Sequence, residues 1–168
     1  PEIVRRDGEG QVLVVGGGPA GLEAALTLGR RGYSVALAEA EHSVVLVDGD
    51  LRRPRLAKYL DLVGSVGFST VLSGGGSLDE VLQKTKFSRL TVLTAGPIPP
   101  NPSELLGSLA AKKMFSDLRA KFDYVIVDSP PLLAVTDGAI LAAEADGAIV
   151  AVRAGKTKRD QLAHAIGI

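Results

Sequence analysis

The chain has no cysteine and no tryptophan, and only 4% of its 168 residues are aromatic. Without cysteine there can be no disulfide, no thiolate metal site and no cysteine nucleophile. With so few aromatic rings the interior must be built from Val, Leu, Ile and Ala. At 46% hydrophobic residues there are enough of them for a real core. Net charge is absent too, since 19 basic residues balance 19 acidic ones. Charge therefore gives no reason to expect a nucleic-acid partner or binding to an acidic membrane surface. No apolar run approaches the roughly 20 residues of a membrane span. Arg5, Arg6, Asp7, Glu9 and Gln11 interrupt any secretory pattern, so a soluble, cytoplasmic protein is expected. The two histidines, His42 and His164, are too far apart to suggest a ligand cluster.

What is present is an alternation of short apolar runs and helical stretches, the mark of βαβ units. The expected strands are Val12–Val15, Ser34–Glu39, Val44–Val47, Leu90–Thr94, Tyr124–Val127 and Ala148–Val152. Helices are expected over Leu22–Arg31, Pro54–Leu60, from a capping box at Ser77-Leu78-Asp79-Glu80, from Ser103 as N-cap to about Ala120, over Thr136–Ala145, and from near Lys158. In the helix after Ser103, Leu105, Leu106, Leu109, Phe115 and Leu118 are expected to face the core. The fold class that follows is α/β: a single three-layer, doubly wound domain, 1–168, on a mostly parallel sheet of about six strands. Only four residues separate the expected strands Ser34–Glu39 and Val44–Val47. A parallel crossover needs a dozen or more. Either the two form a hairpin or one is not a strand where it is placed, and the conflict suggests a join near Ala40–Ser43, between a dinucleotide-type piece, 1–42, and a kinase-like remainder, 43–168.

Gly16-Gly17-Gly18-Pro19-Ala20-Gly21 fits G-x-G-x-x-G between an expected strand and an expected helix. Gly16 permits the turn, Gly18 lets backbone approach a pyrophosphate, and Gly21 lets helix and strand pack closely. Glu39, 18 residues after Gly21, is placed to bind ribose hydroxyls. The run VLVVGGGPAGLEAALTLGRRGYSVALAEAE resembles the dinucleotide-binding domains of pyridine-nucleotide-disulfide oxidoreductases and trimethylamine-dehydrogenase-type flavoproteins, over about residues 11–41. The resemblance implies binding of the ADP half of FAD, NAD or ADP through Gly16, Gly18, Gly21 and Glu39.

From Val44 the character changes. The segments VVLVDGDLRRPRLAKYL, LTVLTAGPIPPNPSELL and FDYVIVDSPPLLAVTDGAILAAEADGAIVAVRAGKTKRDQL resemble the bacterial tyrosine kinases of capsule and exopolysaccharide synthesis, relatives of the MinD/ParA P-loop ATPases, over about residues 44–163. The resemblance implies that Asp48 and Asp50 form the second acidic Walker motif and Asp128 the Walker B carboxylate, all serving Mg²⁺. Such kinases also carry G-x-x-x-x-G-K-[ST] after the first strand, where this sequence has GGGPAGLEA. The tyrosine-rich tail and the oligomerisation segment of those kinases are not recognised either. An engineered chimera of Rossmann-like and P-loop-like pieces is therefore expected. It would not be an enzyme, would bind an adenine nucleotide weakly at most, and would keep Asp48, Asp50 and Asp128 as a remnant Mg²⁺ site, structural or with weak residual binding. The alternatives are a FAD- or NAD-binding module and a divergent Mg-ATP-dependent, tyrosine-kinase-like ATPase. Arg52, Arg53 and Arg55 read as a solvated cluster, and Tyr33, Tyr59 and Tyr124 as packing residues. In a dinucleotide fold the second strand lies beside the first. In P-loop ATPases of this type the Walker B strand takes that place.

Overall fold

The computed structural model describes residues 11–16, 42–87, 89–132, 134–150, 158–160 and 163. Six strands form one sheet: β1 (Gln11–Gly16), β2 (Val44–Asp48), β3 (Gln83–Lys84), β4 (Leu90–Leu93), β5 (Tyr124–Ser129) and β6 (Gly147–Val150). Their order is β3-β4-β2-β5-β1-β6, all parallel except β3, which runs antiparallel to β4. The mostly parallel α/β sheet expected from the sequence is therefore present.

The cause lies in composition. VVLVD, LTVL and YVIVDS are near-continuous branched apolar runs, buried through the centre of the sheet as parallel strands are. Alternation then divides them between two faces. Val45, Val47, Val125 and Val127 point to the larger core, with Phe68, Leu106, Met114, Phe115, Leu118 and Leu141. Val44, Leu90 and Ile126 form a smaller cluster with Leu46 and Tyr124. Phe68 and Phe115 meet edge to face, ring centroids 5.6 Å apart, a favoured quadrupole arrangement.

Six helices are described: α1 (Leu56–Leu60), α2 (Phe68–Leu72), α3 (Leu78–Val81), α4 (Pro102–Leu106), α5 (Leu109–Lys121) and α6 (Asp137–Ala143). The capping box is formed as expected: Glu80 Oε2 accepts from the Ser77 N–H and from its hydroxyl, both at 2.8 Å. The helix expected from Ser103 to about Ala120 is instead two. Gly107-Ser108 interrupts it, and Ser108 begins again as N-cap, its Oγ accepting from Ala111 N–H at 3.2 Å. Ser103 lies within α4, and Asn101 holds the N-cap position. The restart also turns Leu109 outward, where it is 84% exposed, while Leu106, Phe115 and Leu118 are buried as expected. Ser108→Ala removes one satisfied helix-end donor. It should lower stability by about 1 kcal/mol, read as a shift in the urea midpoint at constant m-value.

Strand order settles the competition for the place beside β1. β5 lies between β1 and β2, with Val15 opposite Asp128, Gly16 opposite Ser129 and Asp48 opposite Asp128. This is the order expected of the P-loop ATPases. The expected strand Ser34–Glu39 and helix Leu22–Arg31 lie outside the described residues. Arg159, Asp160 and Ala163 are helical, in line with a helix beginning near Lys158. Among the described residues no helix is long and apolar enough to cross a membrane.

Candidate nucleotide and metal site

The carboxyl ends of β1, β2 and β5 share one edge, the edge at which open α/β sheets bind ligands. Asp48 ends β2 and is fully buried. Its Oδ2 accepts from the N–H groups of Arg55 (3.1 Å) and Leu56 (3.0 Å), holding the start of α1 against the sheet. Its Oδ1 is buried without a hydrogen-bond partner. Burial, helped by the charge of Asp50, lifts the Asp48 carboxyl to about 6 against the two backbone donors.

Asp128 is 7% exposed, and its carboxyl is pushed up to about 8, first by burial and then by the charges of Asp48 and Asp50. Gly49 allows this crowding. Its N–H donates to the Asp128 carbonyl at 2.7 Å, and a Cβ there would stand 2.8 Å from that same oxygen. Asp50 Oδ1 accepts from Arg52 N–H (3.2 Å) and Arg53 N–H (3.0 Å), which folds the loop between β2 and α1 back on itself. A cleft of about 360 Å³ opens here, with Asp50, Arg53, Arg55, Asp128, Ser129 and Pro130 among its walls.

Arg52 is exposed like Arg53 and Arg55, but its guanidinium is engaged by other side chains. Its Nε donates to Asp137 Oδ2 at 2.7 Å and its Nη2 to Asp137 Oδ1 at 3.1 Å. Ser103 Oγ donates to the same Oδ1 at 2.5 Å and accepts from Arg52 Nη2 at 3.0 Å. Asp137 is fully buried at the start of α6. Burial alone would raise its carboxyl. The Arg52 guanidinium and the Ser103 hydroxyl instead hold it below the usual range. Sequence reading missed this triad. Ser103 showed only as a cap, and nothing in the sequence singled out Asp137. Tyr124 packs edge-on to His42 with centroids 5.2 Å apart, whereas Tyr59 is exposed rather than packed. Tyr33 and His164 lie outside the described residues.

Of the glycine-loop residues, Gly16 closes β1 opposite Ser129 of β5. Gly18, Gly21 and Glu39 lie outside the described residues. Among the described residues no three His, Cys, Asp or Glu side chains are grouped to form a metal site by themselves. The donors nevertheless suit Mg²⁺, which takes one or two carboxylates and completes its shell with phosphate and water. The orphaned Oδ1 of Asp48 and the crowded carboxyl of Asp128 both gain from a neighbouring cation.

Comparison with known proteins bears on both halves of the sequence. A family described as pyridine nucleotide-disulphide oxidoreductase matches residues 10–86, less than half of the chain. The tyrosine-protein kinase YwqD of Bacillus subtilis (strain 168) is 41% identical over 132 residues, covering 79% of this chain and 56% of YwqD. The VpsO kinase domain is 31% identical with a TM-score of 0.84, covering 96% of this chain and 77% of that one.

The chain belongs to the bacterial tyrosine-kinase family. The septum site-determining protein MinD of Pyrococcus horikoshii, solved as a complex with Mg-ADP, shares the fold of this kinase-family domain at a TM-score of 0.66 and 23% identity. The expectation that the chain is not an enzyme is overturned, because its relatives are tyrosine-protein kinases and kinase domains. That expectation rested on the absence of the kinase glycine–lysine loop and of the remaining flavoenzyme elements. The 132 residues shared with YwqD exceed what lies between Val44 and Ile168, so the likeness to kinases begins before Val44. This kinase-family domain spans a little over half the length of YwqD.

Proposed function

We propose that this kinase-family domain binds an adenine nucleotide with Mg²⁺ in the cleft at the ends of β1, β2 and β5, and takes part in phosphoryl transfer. The observation that carries this reading is Asp48 opposite Asp128 on adjacent strands, buried, with one carboxylate oxygen unpartnered. Two buried carboxylates side by side repel and resist ionisation, and a cation facing them would relieve both costs. Mg²⁺, when bound, would neutralise charge on the transferring phosphoryl group. Asp48 and Asp128 would hold it directly or through water, and Asp50 would keep the β2–α1 loop against the cleft. The neighbour solved with Mg-ADP supports the ligand class. A tyrosine side chain is the phosphoryl acceptor that the relatives' names suggest.

The test is a thermal shift with ADP or ATP, with and without Mg²⁺, alongside Asp128→Asn. A ligand at about 100 times its Kd adds about 2.7 kcal/mol, a rise of roughly 5–10 °C for a domain of this size. The rise should need Mg²⁺ and vanish in Asp128→Asn. A second reading rests on the oxidoreductase likeness: the ADP half of FAD or NAD held by Gly16, Gly18, Gly21 and Glu39. A join of two families would account for both likenesses in one chain. A rise with NAD or FAD that ignores Mg²⁺ and survives Asp128→Asn would favour it and count against the kinase-type site.

A further inference from the structure

A nucleotide polyphosphate brings more negative charge than one Mg²⁺ cancels, so its site needs cationic donors as well. The stretch Gly16 to Leu22, GGGPAGL, has neither a cationic nor a hydroxyl side chain, and no lysine precedes Lys58 in the chain. The cleft nevertheless has cations on its other wall. Arg52, Arg53 and Arg55 all line it, together with Asp50 and Asp128.

These three arginines are not equivalent. The guanidinium of Arg52 is engaged by Asp137 and Ser103. Arg53 and Arg55 are exposed, and neither side chain has a carboxylate partner among the described residues. Their backbones, by contrast, are pinned. Arg53 N–H donates to Asp50 Oδ1, and Arg55 N–H donates to Asp48 Oδ2. Pro54 between them fixes one more dihedral. Two cationic side chains without a carboxylate partner among the described residues thus spring from fixed points on the wall of a cleft that Asp50 and Asp128 also line. That separation of charge matches a metal–polyphosphate, with the cation on the carboxylates and the anion on the arginines. Guanidinium groups bind phosphate oxygens in pairs, so two of them can hold two phosphates.

We propose that Arg53 and Arg55 bind the phosphates of a magnesium polyphosphate ligand, doing from the β2–α1 loop what a loop lysine would do. This rests on the nucleotide reading above. It differs from that reading in assigning the anion's contacts to this loop.

The test is titration calorimetry of wild type and the Arg53→Gln/Arg55→Gln double variant with magnesium tripolyphosphate, Mg-ATP and adenosine. Both side chains are exposed, so the variant should fold with an unchanged melting temperature. It should bind tripolyphosphate and ATP about 10- to 100-fold more weakly, the worth of one or two charged hydrogen bonds. Adenosine affinity should not change. Equal ATP binding by variant and wild type overturns the arginine assignment and leaves the nucleotide reading intact. Tripolyphosphate bound by wild type, lost in the variant and no weaker than ATP, supports the arginines and overturns the adenine reading. No binding of either anion by wild type overturns both.

Discussion

Without Mg²⁺, the protein should lose stability as pH rises from about 4 to 8, and Asp128→Asn should remove most of that loss. Asp48 and Asp128 titrate near 6 and 8 when folded, well above an ordinary carboxyl. Between the unfolded value, near 4, and these values the folded state holds protons that the unfolded state has released. Stability therefore falls with each step of pH through that window and levels off above about 8. With the pair coupled, the full loss is on the order of 5 kcal/mol, a large part of a typical domain's total. An asparagine at 128 carries no charge to desolvate and relieves Asp48 of a repelling neighbour. The variant should melt several degrees above wild type at pH 8 and about level with it at pH 4.5. Adding Mg²⁺ at pH 8 should raise the melting temperature of wild type and leave Asp128→Asn where it was. If wild type holds the same melting temperature from pH 5 to 9 in EDTA, the two carboxylates are not crowded as described.

This behaviour follows from features that were readable one at a time. An apolar run ending in aspartate marks β2 and β5, and the residues themselves say that Asp48 and Asp128 sit at strand ends. Sequence could not decide which strand lies between which. The glycine loop argued for one order and the aspartates for another. The larger share of the chain settled it, since β5 pairs with both β1 and β2. The Ser77–Glu80 box was legible because its partners are three residues apart. Leu109 was misjudged because a helical period was extended through Gly107-Ser108, where the chain ends one helix and caps the next. The Arg52–Asp137 pair was out of reach for a different reason. Its members are 85 positions apart, and nothing local to either announces the other. The mistaken expectation of no enzyme had a different source: it weighed what the glycine loop lacks, and the likeness of most of the chain to kinases outweighs that.

Arg52→Ala should destabilise the protein more than Asp137→Ala, although the two remove the same ion pair. The asymmetry comes from burial. Asp137 is fully buried, and without Arg52 its carboxylate keeps the Ser103 hydroxyl and its own backbone N–H but no cation. Arg52 is 40% exposed at its side chain, so without Asp137 it can turn into water. Stranding a buried carboxylate is the costly event. Because one side of this pair is open to solvent, the loss on stranding Asp137 should exceed that of a surface ion pair and fall short of that for a fully buried pair. Asp137→Asn should be milder still, keeping the Ser103 contact without a buried charge. The pH dependence of the pair opposes that of the acidic floor. The Asp137 carboxyl is held below its unfolded value, so its contribution is present above about pH 4 and disappears as pH falls below it. Arg52→Ala should therefore flatten the acid limb of the stability curve and leave the limb above pH 5 with its slope. The same triad ties the β2–α1 loop to α4 and α6, so breaking it should also loosen the cleft wall that Arg53 and Arg55 share. Chemical denaturation at pH 3.5, 5 and 8 would measure all three effects. Equal losses for Arg52→Ala and Asp137→Ala would mean that the buried carboxylate does not depend on its guanidinium.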